Sequence, residues 1–274
     1  MEIRLAKSYG FCFGVKRAIK IAEESPNSTT IGPLIHNNAE INRLKQSFNV
    51  DTINDYKEAK DIKKAIIRTH GITKEGLKEL KDKNIDIIDA TCPFVSKPQR
   101  ICEEMSQEGY QIVIFGDINH PEVKGVMSYA KGEVVVVLDT KELEKVKFQS
   151  RVAVISQTTR KFNDFAKIVN YIIPRTKEVR VFNTICNATF ENQEAVRELS
   201  NECDVMVIIG GKNSSNTKQL YTIAKRNCSD SYLIENEKEL KKEWFRDKKV
   251  CGISAGASTP DWIIQKVVRK IEEF

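Results

Sequence analysis

Short runs of aliphatic residues alternate with amphipathic segments along most of the 274-residue chain. Examples are QIVIFG ahead of PEVKGVMSYA, RVAVIS ahead of FNDFAKIVNYII, and DVMVIIG ahead of NTKQLYTIAKR. Apolar runs of this length indicate buried strands, and the segments that follow have the period of a helix. Such alternation is typical of βαβ units, in which helices cover parallel sheets. The sequence therefore predicts an α/β fold with mainly parallel sheets.

A cysteine follows a strand-like run and precedes a helix-like segment at three places. Cys12 lies in GFCFGV, Cys92 in DATCPF and Cys186 in TICNAT. Ile85 precedes Cys92 by seven residues, and Val179 precedes Cys186 by the same distance. This weak repeat suggests three similar α/β units, each of which delivers one cysteine from a strand end. We expect three domains, spanning residues 1–92, 93–183 and 184–274.

Composition restricts the class of protein. Hydrophobic residues make up 41% of the chain, which is ordinary for a globular protein, and no apolar run is long enough to span a bilayer. The opening stretch MEIRLAKSYG lacks the apolar core of a signal peptide. The seven cysteines are too few for a disulfide scaffold and are odd in number. We expect a cytoplasmic protein with no membrane partner, whose cysteines are free thiols or metal ligands.

The formal charge of +6 is spread along helix-like segments such as KEGLKELKDKN. A spread of this kind is more typical of a solvated surface than of a nucleic-acid interface. Aromatic residues also do not interleave with a basic patch, as they do in proteins that bind single strands. We expect no nucleic-acid partner, although a mild positive charge favours a small anionic substrate or an acidic partner protein.

The three histidines of the chain all follow strand-like runs. His36 follows TTIGPLI, His70 follows AIIRT, and His120 follows IVIFGDIN. Ligands of open parallel sheets bind beyond the carboxyl ends of the strands, where these residues are expected to lie. A single histidine is more often a hydrogen-bonded structural residue, but three at equivalent junctions favour a shared function.

Glu122 follows His120 by two residues, and Pro121 between them favours the start of a helix. A glutamate in a first turn can simply complement the helix dipole. The functional interpretation is a partly buried carboxyl group beside an anion. Its pKa would then be raised, so that it could donate a proton near neutral pH.

Two glycine-containing turns, GGKNSSNT and AGASTPD, carry hydroxyl and amide side chains and open helices. Free N–H groups and the helix dipole at such turns suit a phosphate group. N-capping alone would select the same residues, with Ser215 or Asn216 before one helix and Thr259 with Pro260 before the other. Two such turns, together with three histidines and the run QTT, favour an anion site. Neither turn matches a nucleotide-binding fingerprint, so ATP and NAD are disfavoured.

The three cysteines in polar or glycine-rich turns are candidate ligands of one metal centre. Zinc with an open position and an iron–sulfur cluster without a fourth protein ligand both accept three thiolates. Spacing does not distinguish these two centres. The remaining cysteines are expected to be small buried hydrophobic residues without chemistry. They are Cys102, Cys203, Cys228 and Cys251.

Seven motifs, taken in order, resemble the 4-hydroxy-3-methylbut-2-enyl diphosphate reductase family, which catalyses the last step of the non-mevalonate route to isoprenoid precursors. The motifs are GFCFGV, THG, DATCP, HPEV, QTT, GGKNSSNT and AGASTPD, and they cover nearly the whole chain. The resemblance implies a pseudo-threefold trefoil of three α/β domains around a central [4Fe–4S] cluster. Cys12, Cys92 and Cys186 match the cluster ligands of the family, which leave one iron without a protein ligand.

The resemblance also implies an activity. Members of the family are iron–sulfur oxidoreductases that remove the hydroxyl group of the allylic substrate 4-hydroxy-3-methylbut-2-enyl diphosphate. The products are isopentenyl diphosphate and dimethylallyl diphosphate. The chain encodes no electron carrier, so a ferredoxin or flavodoxin is expected as the electron donor.

The family pattern assigns roles to individual residues. Glu122 matches the proton donor, and Thr158 matches a residue near the substrate hydroxyl and the catalytic glutamate. The residues expected to bind the substrate, chiefly through its diphosphate, are His36, His70, His120, Thr158, Ser214, Ser215, Asn216 and Ser258. Phe13 stands where many members have alanine, a change that removes no ligand.

The competing hypothesis is a zinc-dependent hydrolase or a non-catalytic binder of a phosphorylated metabolite that uses the same three cysteines. Zinc acts only as a Lewis acid, whereas an iron–sulfur cluster also supplies electrons. Brown protein that bleaches with dithionite would indicate the reductase.

Overall fold

The computed structural model describes residues 1–35, 37–212 and 214–274, with Ser215 described by its backbone alone. The strands, in chain order, are β1 (Glu2–Leu5), β2 (Thr29–Ile31), β3 (Asp51–Ile53), β4 (Lys64–Ile67), β5 (Asp86–Asp89), β6 (Gln111–Phe115), β7 (Val134–Val137), β8 (Arg151–Ser156), β9 (Glu178–Phe182), β10 (Val205–Ile209), β11 (Ser231–Ile234) and β12 (Val250–Ala255). The α-helices are α1 (Phe13–Glu23), α2 (Asn38–Phe48), α3 (Lys74–Asp82), α4 (Pro93–Gln107), α5 (Pro121–Met127), α6 (Phe162–Ile172), α7 (Asn187–Ser200), α8 (Ser215–Asn227) and α9 (Asp261–Glu272). Short 3-10 helices span Tyr56–Glu58, Glu142–Lys145, Ile173–Arg175, Glu237–Glu239 and Lys242–Phe245. Among the helices described, none is both long enough and apolar enough to cross a membrane.

The strands form three four-stranded sheets, and every pairing is parallel. The first sheet has the order β3-β2-β4-β5, the second β7-β6-β8-β9, and the third β11-β10-β12-β1. The three orders are the same when β1 is counted as the fourth strand of the third sheet. The predicted α/β fold of three parallel-sheet units is thereby confirmed, while the trefoil arrangement of those units stays a prediction.

β1 opens the chain yet completes the third sheet. It pairs with β12, with Glu2 opposite Val250 and Leu5 opposite Ile253. An edge strand in this position covers main-chain groups of β12 that would otherwise be unpaired. The predicted domain boundaries after residues 92 and 183 stay a prediction. They assign β1 to the first domain, whereas β1 pairs in the third sheet.

The chain divides into two compact units. Unit 1 consists of residues 1–19, 35–47 and 187–274, and it contains the third sheet. Unit 2 consists of residues 20–34 and 48–186, and it contains the first and second sheets.

In unit 1, alternate residues of the central strand β10 face opposite helical layers. Val207 and Ile209 pack in one apolar cluster with Ile264 of α9. Met206 faces the other way and packs in a second cluster with Leu220 of α8. Strand side chains alternate between the two faces of a sheet, so helices on both faces require an apolar residue at nearly every position. This requirement explains the continuous run VMVII.

The second sheet in unit 2 follows the same rule. Ile112 and Ile114 of β6 face the layer formed by α4 and α5. Val113 and Phe115 face α6, where the ring of Phe115 stacks on that of Phe165 with centroids 6.3 Å apart. The two-sided core fixes the carboxyl end of β6, which leads to His120 and Glu122.

Candidate active site

The predicted site residues follow equivalent strands of the three sheets. In the strand orders given above, the second strands lead to His36, His120 and Ser214, the third strands to His70, Thr158 and Ser258, and the fourth strands to Cys92, Cys186 and Cys12. His36 lies outside the described residues, as does the side chain of Ser215. Each described residue therefore lies beyond the carboxyl edge of its own sheet, where parallel sheets bind ligands.

The three predicted metal ligands each stand directly before the first residue of a helix. Cys12 precedes α1, Cys92 precedes α4 and Cys186 precedes α7, and all three are partly exposed. The N–H group of Cys92 donates to the carbonyl oxygen of Thr69 at 3.0 Å. Because the positive end of a helix dipole stabilises negative charge, this position suits a negatively charged metal centre.

The other four cysteines have different surroundings. Burial raises the pKa of Cys102 and of Cys251 to about 12, and that of Cys203 to about 11. These groups stay protonated thiols, as expected for packing residues. The prediction of burial is wrong for Cys203, which is partly exposed and lies in the turn at residues 201–204 rather than inside a helix or strand.

The chemistry of the donor set fits an iron–sulfur cluster, since three partly exposed thiols at helix N-termini are suitable soft ligands. No group of three or more His, Cys, Asp or Glu residues that could hold a single metal ion occurs in the described part of the chain. The identity of the metal ligands stays a prediction.

Glu122 is the second residue of α5, and its side chain is 2% exposed. Thr158, just beyond β8, holds both carboxyl oxygens. Its N–H group donates to Oε1 at 2.7 Å, and its hydroxyl group donates to Oε2 at 2.7 Å. A glutamate present only to complement the helix dipole would need no such enclosure, so the geometry favours the functional interpretation of this residue.

Burial raises the pKa of the Glu122 carboxyl group above its ordinary value of 4.5. The two hydrogen bonds from Thr158 and the positive charge of Arg160 oppose part of this rise, because they stabilise the ionised form. Desolvation is the largest of these effects. The carboxyl group therefore keeps its proton to a higher pH than an exposed glutamate does, as a proton donor requires.

His120 caps the start of α5. Its Nδ1 atom accepts a hydrogen bond from the N–H group of Glu122 at 3.2 Å. An accepting Nδ1 places the proton of the neutral ring on Nε2, which is then a donor. The ring of His70 lies edge-on to that of His120, with centroids 5.5 Å apart. The structure thus brings together two of the three predicted diphosphate-binding histidines, next to Glu122.

Thr158 also connects the predicted proton donor to a predicted metal ligand. The side chain of Thr158 is 5% exposed, and its carbonyl oxygen accepts a hydrogen bond from the N–H group of Cys186 at 2.7 Å. Glu122, Thr158 and Cys186 therefore form one hydrogen-bonded chain within unit 2. Thr184 supports this chain, because its hydroxyl group accepts from the N–H group of Ser156 at 2.8 Å.

In unit 1, Ser214 caps α8 and accepts a hydrogen bond from the N–H group of Thr217 at 3.3 Å. The cap lies one residue before the expected position, because Ser215 is already helical. The capping interpretation of Thr259 is wrong. Its hydroxyl group donates to the carbonyl oxygen of Ile209 at 3.1 Å, and α9 begins after Pro260 without a side-chain cap.

Several buried polar atoms of unit 1 have no hydrogen-bond partner among the described residues. They are the two amide atoms of Asn216, the hydroxyl of Thr217 and the hydroxyl of Ser254. Each such group costs about 1–3 kcal/mol when left unsatisfied. The amide of Asn216 at a helix N-terminus suits an oxygen-rich anion, so the orphaned atoms support the predicted anion site. Thr217 belongs to the motif GGKNSSNT, where the pattern assigned it no separate role, and Ser254 lies in the apolar run VCGIS, where a single hydroxyl carries no distinguishing pattern.

Gly10 shows why a glycine stands close to Cys12. Its φ of +68° lies in the left-handed region, and an added Cβ would lie 3.1 Å from Cδ1 of Ile264. The glycine allows α9 to approach the loop that carries Cys12.

The family described as LytB protein matches residues 3–272 of the chain. The chain belongs to the LytB family. A relative from Campylobacter fetus subsp. fetus is 70% identical over the whole chain, which covers 98% of that relative. A relative from Nitratiruptor sp. is 67% identical over the whole chain, with 99% of the relative covered. Both relatives are named 4-hydroxy-3-methylbut-2-enyl diphosphate reductase.

Solved structures of LytB-family reductases have the same fold. One is described as (E)-4-hydroxy-3-methyl-but-2-enyl diphosphate reductase, the terminal enzyme of the non-mevalonate pathway. It has a TM-score of 0.83 and 44% sequence identity, and both chains are covered completely. The reductase from Plasmodium falciparum has a TM-score of 0.81 and 28% identity, covering 98% of this chain and 87% of its own. The family and enzyme class predicted from the seven motifs are confirmed.

Proposed function

We propose that this LytB-family chain reduces 4-hydroxy-3-methylbut-2-enyl diphosphate to isopentenyl diphosphate and dimethylallyl diphosphate. The reaction consumes two electrons and two protons, breaks the allylic C–O bond and releases water. The observation that carries the proposal is the Glu122 carboxyl group, which is buried, held by Thr158 and raised in pKa. A hydroxyl group is a poor leaving group unless a proton reaches its oxygen, and this carboxyl group is suited to supply it.

The diphosphate is held by groups that do not react. We assign this role to His36, His70, His120, Ser214, Ser215, Asn216 and Ser258. His120 donates from Nε2, since its Nδ1 atom accepts from the N–H group of Glu122. Asn216 offers both a donor and an acceptor that have no partner in the described part of the chain. Fixing the diphosphate positions the allylic hydroxyl group, so binding energy remote from the reacting atoms lowers the barrier.

Cys12, Cys92 and Cys186 are the proposed ligands of a [4Fe–4S] cluster. When bound, such a cluster supplies electrons and Lewis-acid chemistry. Thr158 contributes by hydrogen bonding to Glu122 through its hydroxyl group and to Cys186 through its carbonyl oxygen. A ferredoxin or flavodoxin is the proposed electron donor, and the cytoplasm is the proposed location.

The hydroxyl group of Thr158 can hydrogen-bond to the Glu122 carboxyl group in both of its protonation states. Its hydroxyl group donates to Oε2 when the carboxyl group is ionised, and it can rotate to accept when the carboxyl group is protonated. The N–H group of Thr158 stays on Oε1 in both states. The carboxyl group therefore keeps its position while it gains and loses a proton.

The test is anaerobic purification followed by iron, sulfide and zinc analysis and an assay with a reduced viologen dye. We expect brown protein with iron and sulfide, together with substrate-dependent oxidation of the dye and both five-carbon diphosphates as products. Colourless protein with stoichiometric zinc and no iron would contradict the proposal and would favour the zinc-dependent hydrolase.

A further inference from the structure

Glu40 is a buried carboxylate that the proposed reaction does not use. It lies in the first turn of α2 in unit 1, and it is 1% exposed. Arg43 donates from Nη2 to Oε1 at 2.6 Å and from Nε to Oε2 at 3.0 Å. Trp262 donates from its indole Nε1 to Oε2 at 2.7 Å. We call these three residues the Glu40 cluster.

The Glu40 cluster joins the starts of two helices. Trp262 is the second residue of α9 and lies 222 positions along the chain from Glu40. At the other end, the side chain of Asn37 accepts a hydrogen bond from the N–H group of Glu40 at 3.0 Å, which fixes the first turn of α2. The indole bond is therefore a direct link between the N-terminal turns of α2 and α9, both within unit 1.

Each of these helix starts follows a segment with a proposed diphosphate ligand. His36 directly precedes Asn37 in the chain, and Ser258 precedes the first residue of α9 by three positions. Any sliding of α2 against α9 would move one ligand-bearing segment relative to the other. Displacements of about 1 Å far from the chemistry can cost about a hundredfold in rate, so the separation of these two helix starts matters for binding.

Stability alone does not account for the chemistry of this cluster. Taking the Glu40 carboxylate out of water is costly, even though the side chain of its partner Arg43 stays 31% exposed. Apolar residues of similar volume often stabilise a fold equally well or better. Apolar contacts, however, are non-directional and tolerate sliding. In the Glu40 cluster, N–H groups of Arg43 in α2 and of Trp262 in α9 donate to the two carboxylate oxygens of Glu40. Because these hydrogen bonds are directional, they fix the position of α9 relative to α2.

We propose that Glu40 and Trp262 are positioning residues for diphosphate binding. They hold the segment before α2 and the segment before α9 at a fixed separation, so that the ligands in both segments meet the same diphosphate group. This inference rests on the proposed function, because it assumes that these segments bind the substrate diphosphate. Neither residue contacts the substrate in this account.

The test is Trp262→Phe in the anaerobically purified holoenzyme, with inorganic diphosphate as the probe in titration calorimetry. Phenylalanine keeps an aromatic ring but has no N–H group, and Glu40 keeps Arg43 as a partner. We expect the dissociation constant for inorganic diphosphate to rise about tenfold, which corresponds to the loss of one ordered contact. The KM for the substrate should rise by a similar factor, while kcat and iron content change by less than about twofold.

Trp244→Phe is the matched control, because it makes the same substitution in the same unit. Trp244 stacks on Tyr232 with centroids 3.9 Å apart and belongs to the 3-10 helix Lys242–Phe245, not to α2 or α9. Its dissociation constant for diphosphate should equal that of the wild type. Glu40→Gln retains an acceptor for Trp262 and weakens only the ion pair with Arg43, so its affinity should lie between those of the wild type and Trp262→Phe.

Two results would overturn the inference. One is wild-type affinity for diphosphate in both Trp262→Phe and Glu40→Gln, with thermal unfolding confirming folded protein. The other is an equal loss of affinity in Trp244→Phe, which would indicate general loosening of unit 1. Failure of the wild type to bind diphosphate or to reduce the substrate would instead refute the proposed function.

Discussion

At Glu122, burial and hydrogen bonding act on the same carboxyl group in opposite directions. Removal from water favours the protonated form, whereas the two hydrogen bonds from Thr158 and the charge of Arg160 favour the ionised form. Burial prevails, and the pKa is raised. The hydrogen bonds keep the carboxyl group in one orientation, so the residue combines a retained proton with a fixed position.

The raised pKa of Glu122 predicts a pH-dependent effect on stability. Between the unfolded and folded pKa values the native state binds the extra proton, so the free energy of unfolding falls as pH rises. The contribution of Glu122 is fully present below its ordinary value of 4.5 and is lost as pH rises through the raised pKa. Glu122→Gln has no such proton, so its stability relative to the wild type should increase from pH 4 to pH 8. Urea unfolding of both proteins across that range measures the difference in their free energies of unfolding. A difference that does not change with pH would contradict the raised pKa of Glu122.

Thr158 gives a second prediction. Thr158→Val removes the hydroxyl donor to Oε2 but keeps the N–H donor to Oε1. Because the lost bond stabilises the ionised form, the pKa of Glu122 should rise further, and the alkaline limb of the kcat profile should move to higher pH. Thr158→Ser retains the hydroxyl group and should keep the wild-type limb. If the alkaline limbs of the kcat profiles of Thr158→Val and the wild type coincide, the hydroxyl group does not have this role.

The sequence predicted some of these residues and missed others for physical reasons. Glu122 and Thr158 lie in strand-end motifs, so their types and order along the chain identify them. Glu40 and Trp262 carry no such pattern, since a glutamate in a first helical turn is ordinarily a solvated residue and its partner is 222 positions away. Only the folded chain brings these two residues together.

At the scale of the elements, the three predicted metal ligands differ from the other cysteines in that each directly precedes a helix. Cys186→Ser should lose the visible absorption of the cluster and most of the bound iron, because an alkoxide is a poor replacement for a thiolate. Cys203→Ser is the control, as Cys203 is also partly exposed but lies in a turn between α7 and β10. Anaerobic absorption spectra and iron analysis compare the two variants. An intact cluster in Cys186→Ser would refute its role as a ligand.

Substitutions of two hydroxyl-bearing residues in the N-terminal turn of α8 should affect the stability of the protein differently. Ser214→Ala removes the cap and should cost about 1 kcal/mol of stability. Thr217→Val removes a buried hydroxyl group that has no partner in the described part of the chain, so stability should be unchanged or increased. Urea midpoints of the two variants measure the difference. A loss of more than about 1 kcal/mol in Thr217→Val would show that its hydroxyl group has a structural partner.

Element prediction from the sequence succeeded where the period is clear. The long buried strands β6, β8 and β10 coincide with continuous apolar runs in the sequence. The strands β2 (Thr29–Ile31) and β3 (Asp51–Ile53) span three residues each, which is too short to establish a period. The sheet to which β1 belongs depends on pairing with β12 at the far end of the chain, and no local pattern contains that information.

At the scale of the whole molecule, one strand order occurs three times. In each sheet, the predicted site residues follow the second, third and fourth strands, and the fourth strand always leads to a cysteine and a helix. The weak sequence repeat around Cys92 and Cys186 reflects this shared order. The third repeat was harder to detect, since its fourth strand and its cysteine stand at the start of the chain. The central cluster predicted for the trefoil requires one thiolate from each repeat, and the shared order supplies one.

The central claim is that Glu122 supplies a proton in an iron–sulfur reductase, and the turnover of Glu122→Gln tests it most directly. The measurement is the substrate-dependent oxidation of reduced viologen by variant and wild type with matched iron and sulfide content. Loss of a general acid costs about 10²–10⁴-fold in rate, so we predict at least about a hundredfold loss of kcat with unchanged binding of inorganic diphosphate. Turnover within a few-fold of the wild type would contradict the account.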